Sequence, residues 1–366
     1  MSTAPCPASA AATHGARRLS RSTLLLLLGG LLAATVVFAV GHGAYRIPPS
    51  AVLAILLDAL PGLDFAVDAQ QATVLASIRL PRVVLAVLTG AGLAVAGALM
   101  QGLFRNPLAD PALIGVSAGA ALAAAGVIVL GGVLLPAGLV AGGWLAAFVL
   151  PAAAFAGSLA ATVLVYRIGM LHGTLSLPMT LLAGIAINAL VGASIGLLLF
   201  IASDEQLRAL TFWNLGSLAS AHWVALAVVG PLVLGVVLAA LALARPLNAL
   251  SLGEARATHL GVDVVRTKRQ AIVLTALATG ALVALTGVIG FIGLVAPHLV
   301  RLLAGPDHRI VIPGSALLGA LLVVLADVAA RTLVTPAELP IGILTAALGA
   351  PFFLFLLLHH KHKGYR

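Results

Sequence analysis

The sequence predicts an all-α polytopic membrane protein of about ten transmembrane helices with both termini cytoplasmic, and three observations predict it. Hydrophobic residues make up 61% of the 366 positions and charged residues only 8%, whereas soluble domains carry about a quarter charged residues. A water-soluble fold is thereby excluded. The apolar residues fall into runs divided by short polar or proline-bearing breaks, many of them close to the about 20 residues that one crossing needs. Helices are also a form in which each segment satisfies its own backbone groups in lipid.

Taken in order, the runs give spans at 22–41, 82–102, 113–131, 144–166, 178–201, 223–244, 268–286, 288–304, 310–333 and 340–358. Arg17, Arg18 and Arg21 ahead of Leu24 to Val40 resemble the start of a signal peptide. That apolar run exceeds the 7 to 15 residues of a usual signal core, which favours a retained first span. Residues 1–21 read as a disordered cytoplasmic tail, 22–358 as a single transmembrane domain, and 359–366 as a second cytoplasmic tail. The single cysteine, Cys6, lies in the first tail, so no disulfide framework or cysteine metal site is available. The net charge of +9 is scattered between apolar spans and forms no dense patch, which argues against nucleic acid.

With the first tail inside, fifteen of the 20 Lys and Arg residues fall on the cytoplasmic side: Arg17, Arg18, Arg21, Arg105, Arg167, Arg245, Arg256, Arg266, Lys268, Arg269, Arg301, Arg309, Lys361, Lys363 and Arg366. The positive-inside rule selects this orientation. Five exceptions face outward, Arg46, Arg79, Arg82, Arg208 and Arg331. Two readings of them stand open: snorkelling to lipid headgroups, or meeting an acidic partner. Glycine pairs four residues apart, Gly115/Gly119, Gly138/Gly142 and Gly192/Gly196, support a tight bundle without singling out an interface.

Nearly all carboxylates lie in breaks, and no polar constellation suited to catalysis or metal binding is visible. Asp327 is the one acid clearly within a span, and its spacing to Arg331 is that of an i,i+4 helical pair. His298, in LVAPHLVR, reads as a packing or hydrogen-bonding residue rather than a metal ligand. The scarcity of ionisable groups within spans argues against an ion-coupled secondary transporter. The only lysines, Lys268, Lys361 and Lys363, complete no phosphate-binding loop, so any ATP that drives the protein must bind another chain. The longest cytoplasmic connection, about 245–269, carries a short polar helical stretch from Glu254 to His259 between Gly253 and Gly261. It is an ordinary connector or a docking surface.

Five strings resemble the iron-chelate and cobalamin (FecCD-like) permease family of ABC importers, in order from about Arg79 to Leu358. They are RLPR at 79–82, GALMQGLFRNPLADPALIGVSAGA at 97–120, RPLNALSLGEARATHLGV at 245–262, GVIGFIGLVAPHLVR at 287–301 and ADVAARTLVTPAELPIGILTAALGAPFF at 326–353. The resemblance implies a type II importer permease architecture: a homodimer of ten-span subunits, two ATPase subunits that bind ATP and Mg, and a periplasmic substrate-binding protein. It implies no cofactor on this chain and an inner-membrane location. It also assigns roles. Ser251, Leu252, Gly253, Glu254, Ala255, Arg256, Ala257, Thr258, His259, Leu260, Gly261 and Val262 would form the segment that fits a cleft on the ATPase. Arg79, Arg82 and Arg331 would meet acidic residues of the binding protein, steering docking and fixing register. Asn188 and Ser194 would line the pathway. RNPLADPALIGVSAGAALAA, with Asp110, is most like the haem branch, with ferric siderophore and cobalamin as the alternatives.

Overall fold

The computed structural model describes residues 20–43, 47–58, 67–136, 145–171, 173–334 and 337–363. Cys6, Arg17, Arg18, Arg46, Gly138, Gly142 and Arg366 lie outside the described residues. Among those described, eight helices are long and apolar enough to cross a membrane, and two shorter apolar helices accompany them. Together they correspond to the ten expected spans.

Helix α1 (Arg21–Gly41) begins at Ser20, whose hydroxyl accepts from the Thr23 amide at 3.2 Å. Helix α2 (Pro49–Asp58) follows, and α3 (Ala69–Val74) starts at Asp68, which accepts from the Gln71 amide at 2.9 Å. The expected start of the second span at 82 is corrected here: α3 runs through one π turn, Leu75–Arg79, straight into α4 (Leu80–Leu103). Pro81 has no amide to donate and would crowd a regular turn; the wider turn ahead of it keeps the helix continuous.

Helix α4 is the centre of the bundle and is buried over most of its length. Packed on it are α9 (Trp223–Ala242), α12 (Val264–Thr286), α13 (Ile292–Ala304) and α14 (His308–Thr332); α5 (Val116–Leu134), α6 (Ala146–Gly169) and α7 (Leu177–Ile201) pack on one another and through α12 on the centre, and α15 (Ile341–Lys363) packs on α13 and α14. The remaining helices, α8 (Asp204–Leu215), α10 (Ala244–Ser251) and α11 (Glu254–His259), are short, and a small hairpin pairs β1 (Met170–Leu171) with β2 (Thr174–Leu175). Apolar run lengths do not anticipate α2, α3, α8 or α10. Helix α13 starts at Ile292 rather than 288, because Gly287 at φ 69° ends α12 and Phe291 at φ 68° interrupts the backbone before a new helix can form. At the other end, α15 continues as helix to Lys363, into residues expected to form a tail.

Small residues set how closely the helices approach, and of the expected pairs Gly115/Gly119 lies in such a contact, against Ala161 and Gly157 of α6, while Gly138/Gly142 falls outside the described residues. A Cβ on Gly90 of α4 would run into the backbone of Gly319 in α14, and one on Gly97 into that of Gly293 in α13. Gly119 meets Gly157 in the same way, whereas Gly192 and Gly196 face open space. Backbone-to-backbone contact of this kind supplies dispersion and shape fit where lipid removes any hydrophobic drive between helices.

Candidate functional site

The connector between α10 and α12 is built by two glycines. Gly253 at φ 107° and Gly261 at φ 80° take conformations costly for other residues, so α11 is turned sharply at both ends. The short helix lies where the sequence places it. Within 251–262 the side chains of Ser251, Leu252, Glu254, Ala255, Arg256, Thr258, His259 and Leu260 are exposed, as is Gly261, while Gly253 and Val262 are half-buried. Ala257 alone is fully buried, holding the helix against the body of the protein. Leu252 is 55% and Leu260 64% exposed, so two large apolar side chains stand in water beside Glu254 and Arg256. An apolar centre ringed by charge is the composition of a protein contact.

Two anchors hold this segment. Glu254 Oε1 pairs with Lys268 Nζ at 2.7 Å, and the same ammonium donates to the Leu175 carbonyl at 3.0 Å. Lys268 is only 4% exposed. It joins α11, α12 and the hairpin in one polar node. The second anchor is Asn248 on α10, bonded to Asp307 and His308 at the start of α14. Burial alone would raise the Asp307 carboxyl. Bonds from the Arg309 amide and the Asn248 side chain, with the charges of Arg309 and His308, hold it below its ordinary value. Sequence reasoning misses the roles of Lys268 and Asn248, because their partners are distant in the chain.

At the outer end, Arg79, Arg82 and Arg331 come together, but not as exposed or snorkelling side chains: they are 4%, 7% and 7% exposed. Arg82 donates through Nε to Asp327 at 2.8 Å and through Nη1 to both Glu338 oxygens at 3.0 and 2.8 Å. Arg331 Nε pairs with the other Asp327 oxygen at 3.0 Å, the helical pair anticipated from spacing. Arg79 Nη1 donates to the carbonyls of Val40 and Gly41 at 2.8 and 2.9 Å, and Arg331 reaches those of His42 and Ala39 at 3.1 and 3.3 Å. The last carbonyls of a helix have no partner within it and carry partial negative charge, so two guanidiniums cap α1. Glu338, whose side chain is 45% exposed, is the solvent-facing acid of the network. It lies in the sequence string AELP, where nothing local marks it. Arg208 stands apart from the cluster, exposed at the surface on α8.

The polar side chains of α7 bond locally and to a neighbouring turn. Asn188 Nδ2 donates to the Ala112 carbonyl at 3.3 Å, pinning α7 to the 3₁₀ turn Pro111–Ile114, and Ser194 bonds back to Leu190 of its own helix at 2.9 Å. That turn is started by Asp110, which accepts from the Ala112 amide at 2.8 Å; burial raises the carboxyl against this bond. Helix α7 nonetheless exposes Leu182, Ile185, Leu190, Leu197 and Phe200, each by more than 60%. His298 packs edge-on against Phe352 at 6.2 Å, and no metal-binding group occurs among the described residues.

The FecCD transport family matches residues 31–359. The chain belongs to that family. This FecCD member is 49% identical to the hemin transport system permease protein HmuU of Yersinia pestis over 288 residues, 78% of this chain and 84% of that one. It is 43% identical to the cobalamin import system permease protein BtuC of Halobacterium salinarum over 81% of this chain and 76% of that one. With the iron(III) dicitrate permease protein FecD of Escherichia coli the identity is 41%, over 79% and 86%. A solved inward-facing metal-chelate type ABC transporter superposes on 92% of this chain and 99% of its own with a TM-score of 0.79 at 33% identity. With eight long apolar spans among its described residues, this FecCD chain is a multi-pass inner-membrane protein.

Proposed function

We propose that the chain is the membrane-spanning permease subunit of an ATP-driven ABC importer that moves haem from a periplasmic binding protein across the inner membrane. The observation that carries the substrate is the 49% identity to a hemin permease, above the 43% and 41% to the cobalamin and ferric dicitrate permeases. Those relatives supply the second reading, a ferric chelate or cobalamin moved by the same mechanism.

In this reading the chain is no enzyme and binds no cofactor; ATP and Mg act on two partner ATPase subunits. Residues 251–262 dock on those subunits, supported by the exposed Leu252 and Leu260 beside paired charges. The permease works as a homodimer around a central pathway, supported by the apolar surface that α7 leaves uncovered. Asn188 and Ser194 belong to the helix nearest that pathway. Arg79, Arg82 and Arg331 receive the acidic side chains of the binding protein, an incoming carboxylate exchanging with Glu338, the one exposed acid of the cluster.

The test is uptake into liposomes holding the permease with its cognate ATPase, with binding protein outside carrying haem, a ferric siderophore or cobalamin. Haem uptake is the expected result, and Arg79→Glu and Arg331→Glu are expected to lower it per assembled complex, beyond the loss of folded protein that reversing these buried charges causes. Uptake of a siderophore or cobalamin instead overturns the substrate, and uptake without the ATPase overturns the mechanism.

A further inference from the structure

Asn248 stands one turn before Ser251, where α10 runs into the coupling segment, and both halves of its amide are used. Its Oδ1 accepts from the His308 amide at 2.9 Å and from His308 Nδ1 at 2.8 Å; its Nδ2 donates to Asp307 Oδ1 at 2.6 Å. Asp307 Oδ1 also caps α14 by accepting from the Arg309 amide at 2.9 Å. His308 is 6% exposed, and its Nε2 lies against Gly102 of α4, so close that a Cβ there would be 2.6 Å away. Three helices, α4, α10 and α14, therefore meet at one polar junction.

The far end of this junction matters as much. Helix α14 is 25 residues long, about 37 Å at 1.5 Å per residue, and its last turns carry Asp327 and Arg331 of the outer arginine cluster. Along its length it is pressed backbone to backbone on α4 at Gly319 and Gly90, which leaves little room for bending. Pro313 removes one helical bond between the junction and Gly319, so the direct side-chain bonds of Asn248 to the first residues of α14, rather than the loop at 305–307, are the route by which a displacement of α10 would reach this helix.

We propose that Asn248, with Asp307 and His308, is a positioning clasp that transmits movement of the coupling segment to α14 and, through it, to the outer arginine cluster. The clasp rests on the assignment of residues 251–262 to the ATPase contact.

The chemistry of the three groups dictates an unusual mutational pattern. Asn248→Asp sets two carboxylates side by side and breaks the junction. Asp307→Asn alone changes little, since an amide oxygen still accepts from Asn248 and from the Arg309 amide. Combining the two restores the pairing with its direction reversed, the amide introduced at position 307 donating to the carboxylate introduced at position 248.

The experiment uses permease–ATPase complex in liposomes with haem-loaded binding protein, measuring uptake per ATP hydrolysed alongside basal ATP hydrolysis. Asn248→Asp is expected to lower uptake per ATP about tenfold, the cost of one broken part-buried hydrogen-bond pair turned repulsive, with basal hydrolysis retained; Asp307→Asn stays near wild type, and the double variant recovers. A part that merely stabilises the fold would not alter the ratio at retained basal hydrolysis. Wild-type uptake per ATP in Asn248→Asp, or a double variant no better than that single one, overturns the clasp. Should Asn248→Asp fail to assemble, Asn248→Ala takes its place and must show the same loss. Leu260→Asp separates the two levels: if it leaves ATPase binding intact, the assignment of 251–262 has failed; if it abolishes binding while Asn248→Asp and Asn248→Ala couple normally, the clasp alone has failed.

Discussion

Replacing Asp327 with Ala strips the carboxylate that two buried guanidiniums share, at 2.8 Å from Arg82 and 3.0 Å from Arg331. Removing one partner of a buried ion pair costs about 3–5 kcal/mol, most of it from the charge left behind. Here Arg82 keeps Glu338, and Arg331 keeps the Ala39 and His42 carbonyls, which places the loss at the low end, about 3 kcal/mol, or roughly a hundredfold in the folding equilibrium. The assay is a double-mutant cycle of Asp327→Ala, Arg331→Met and the pair, read as the folded fraction across a denaturing-detergent titration. The pair is expected to lose less than the sum of the singles, with an interaction energy of about 1–3 kcal/mol, because removing both partners strands no charge. A loss below about 0.5 kcal/mol for Asp327→Ala, the level of an ordinary surface change, or strictly additive singles, would refute the view that this network holds the outer end together.

Leu260→Asp, at a site 64% exposed, is expected to leave thermal stability within about 0.5 kcal/mol of wild type while abolishing co-purification with the ATPase; a parallel loss of both would show that Leu260 acts through the fold. Asp110→Asn keeps the bond to the Ala112 amide without burying a charge. Because burial raises the Asp110 carboxyl, its ionised form weakens the fold above the raised value and has no effect below its unfolded value of about 3.9. Asp110→Asn should therefore melt higher than wild type at neutral pH, and the gap should close as the pH falls through that window in a thermal-shift series. Gly319→Val forces a branched side chain into the Gly90 backbone and is expected to cost about 1–3 kcal/mol or more, seen as a lower melting temperature and less folded protein in the membrane fraction, whereas Gly192→Val, where space is open, should leave the isolated subunit unchanged.

How much is legible in the sequence follows from how local each feature is. Apolar run lengths and the distribution of Lys and Arg already carry ten spans and their orientation, since a helix of known rise and a bilayer of known thickness leave few alternatives. The short helix Glu254–His259 is readable from Gly253 and Gly261, and the Asp327–Arg331 pair from its spacing, because both depend only on the backbone within one or two turns. Tertiary packing decides the rest. Arg82 and Asp327 are 245 residues apart, Arg79 and the α1 carbonyls 38 or 39, and Asn248 and Asp307 59. Helical periodicity says nothing about which of many outward arginines or inward amides meet across such distances. The same limit explains why Gly192 and Gly196 face open space while Gly90 meets Gly319, and why Asn188 holds a turn through Ala112. What the chain fixes alone is what each segment must do to cross lipid; which segments grip one another is set only when ten helices compete for the same few close approaches.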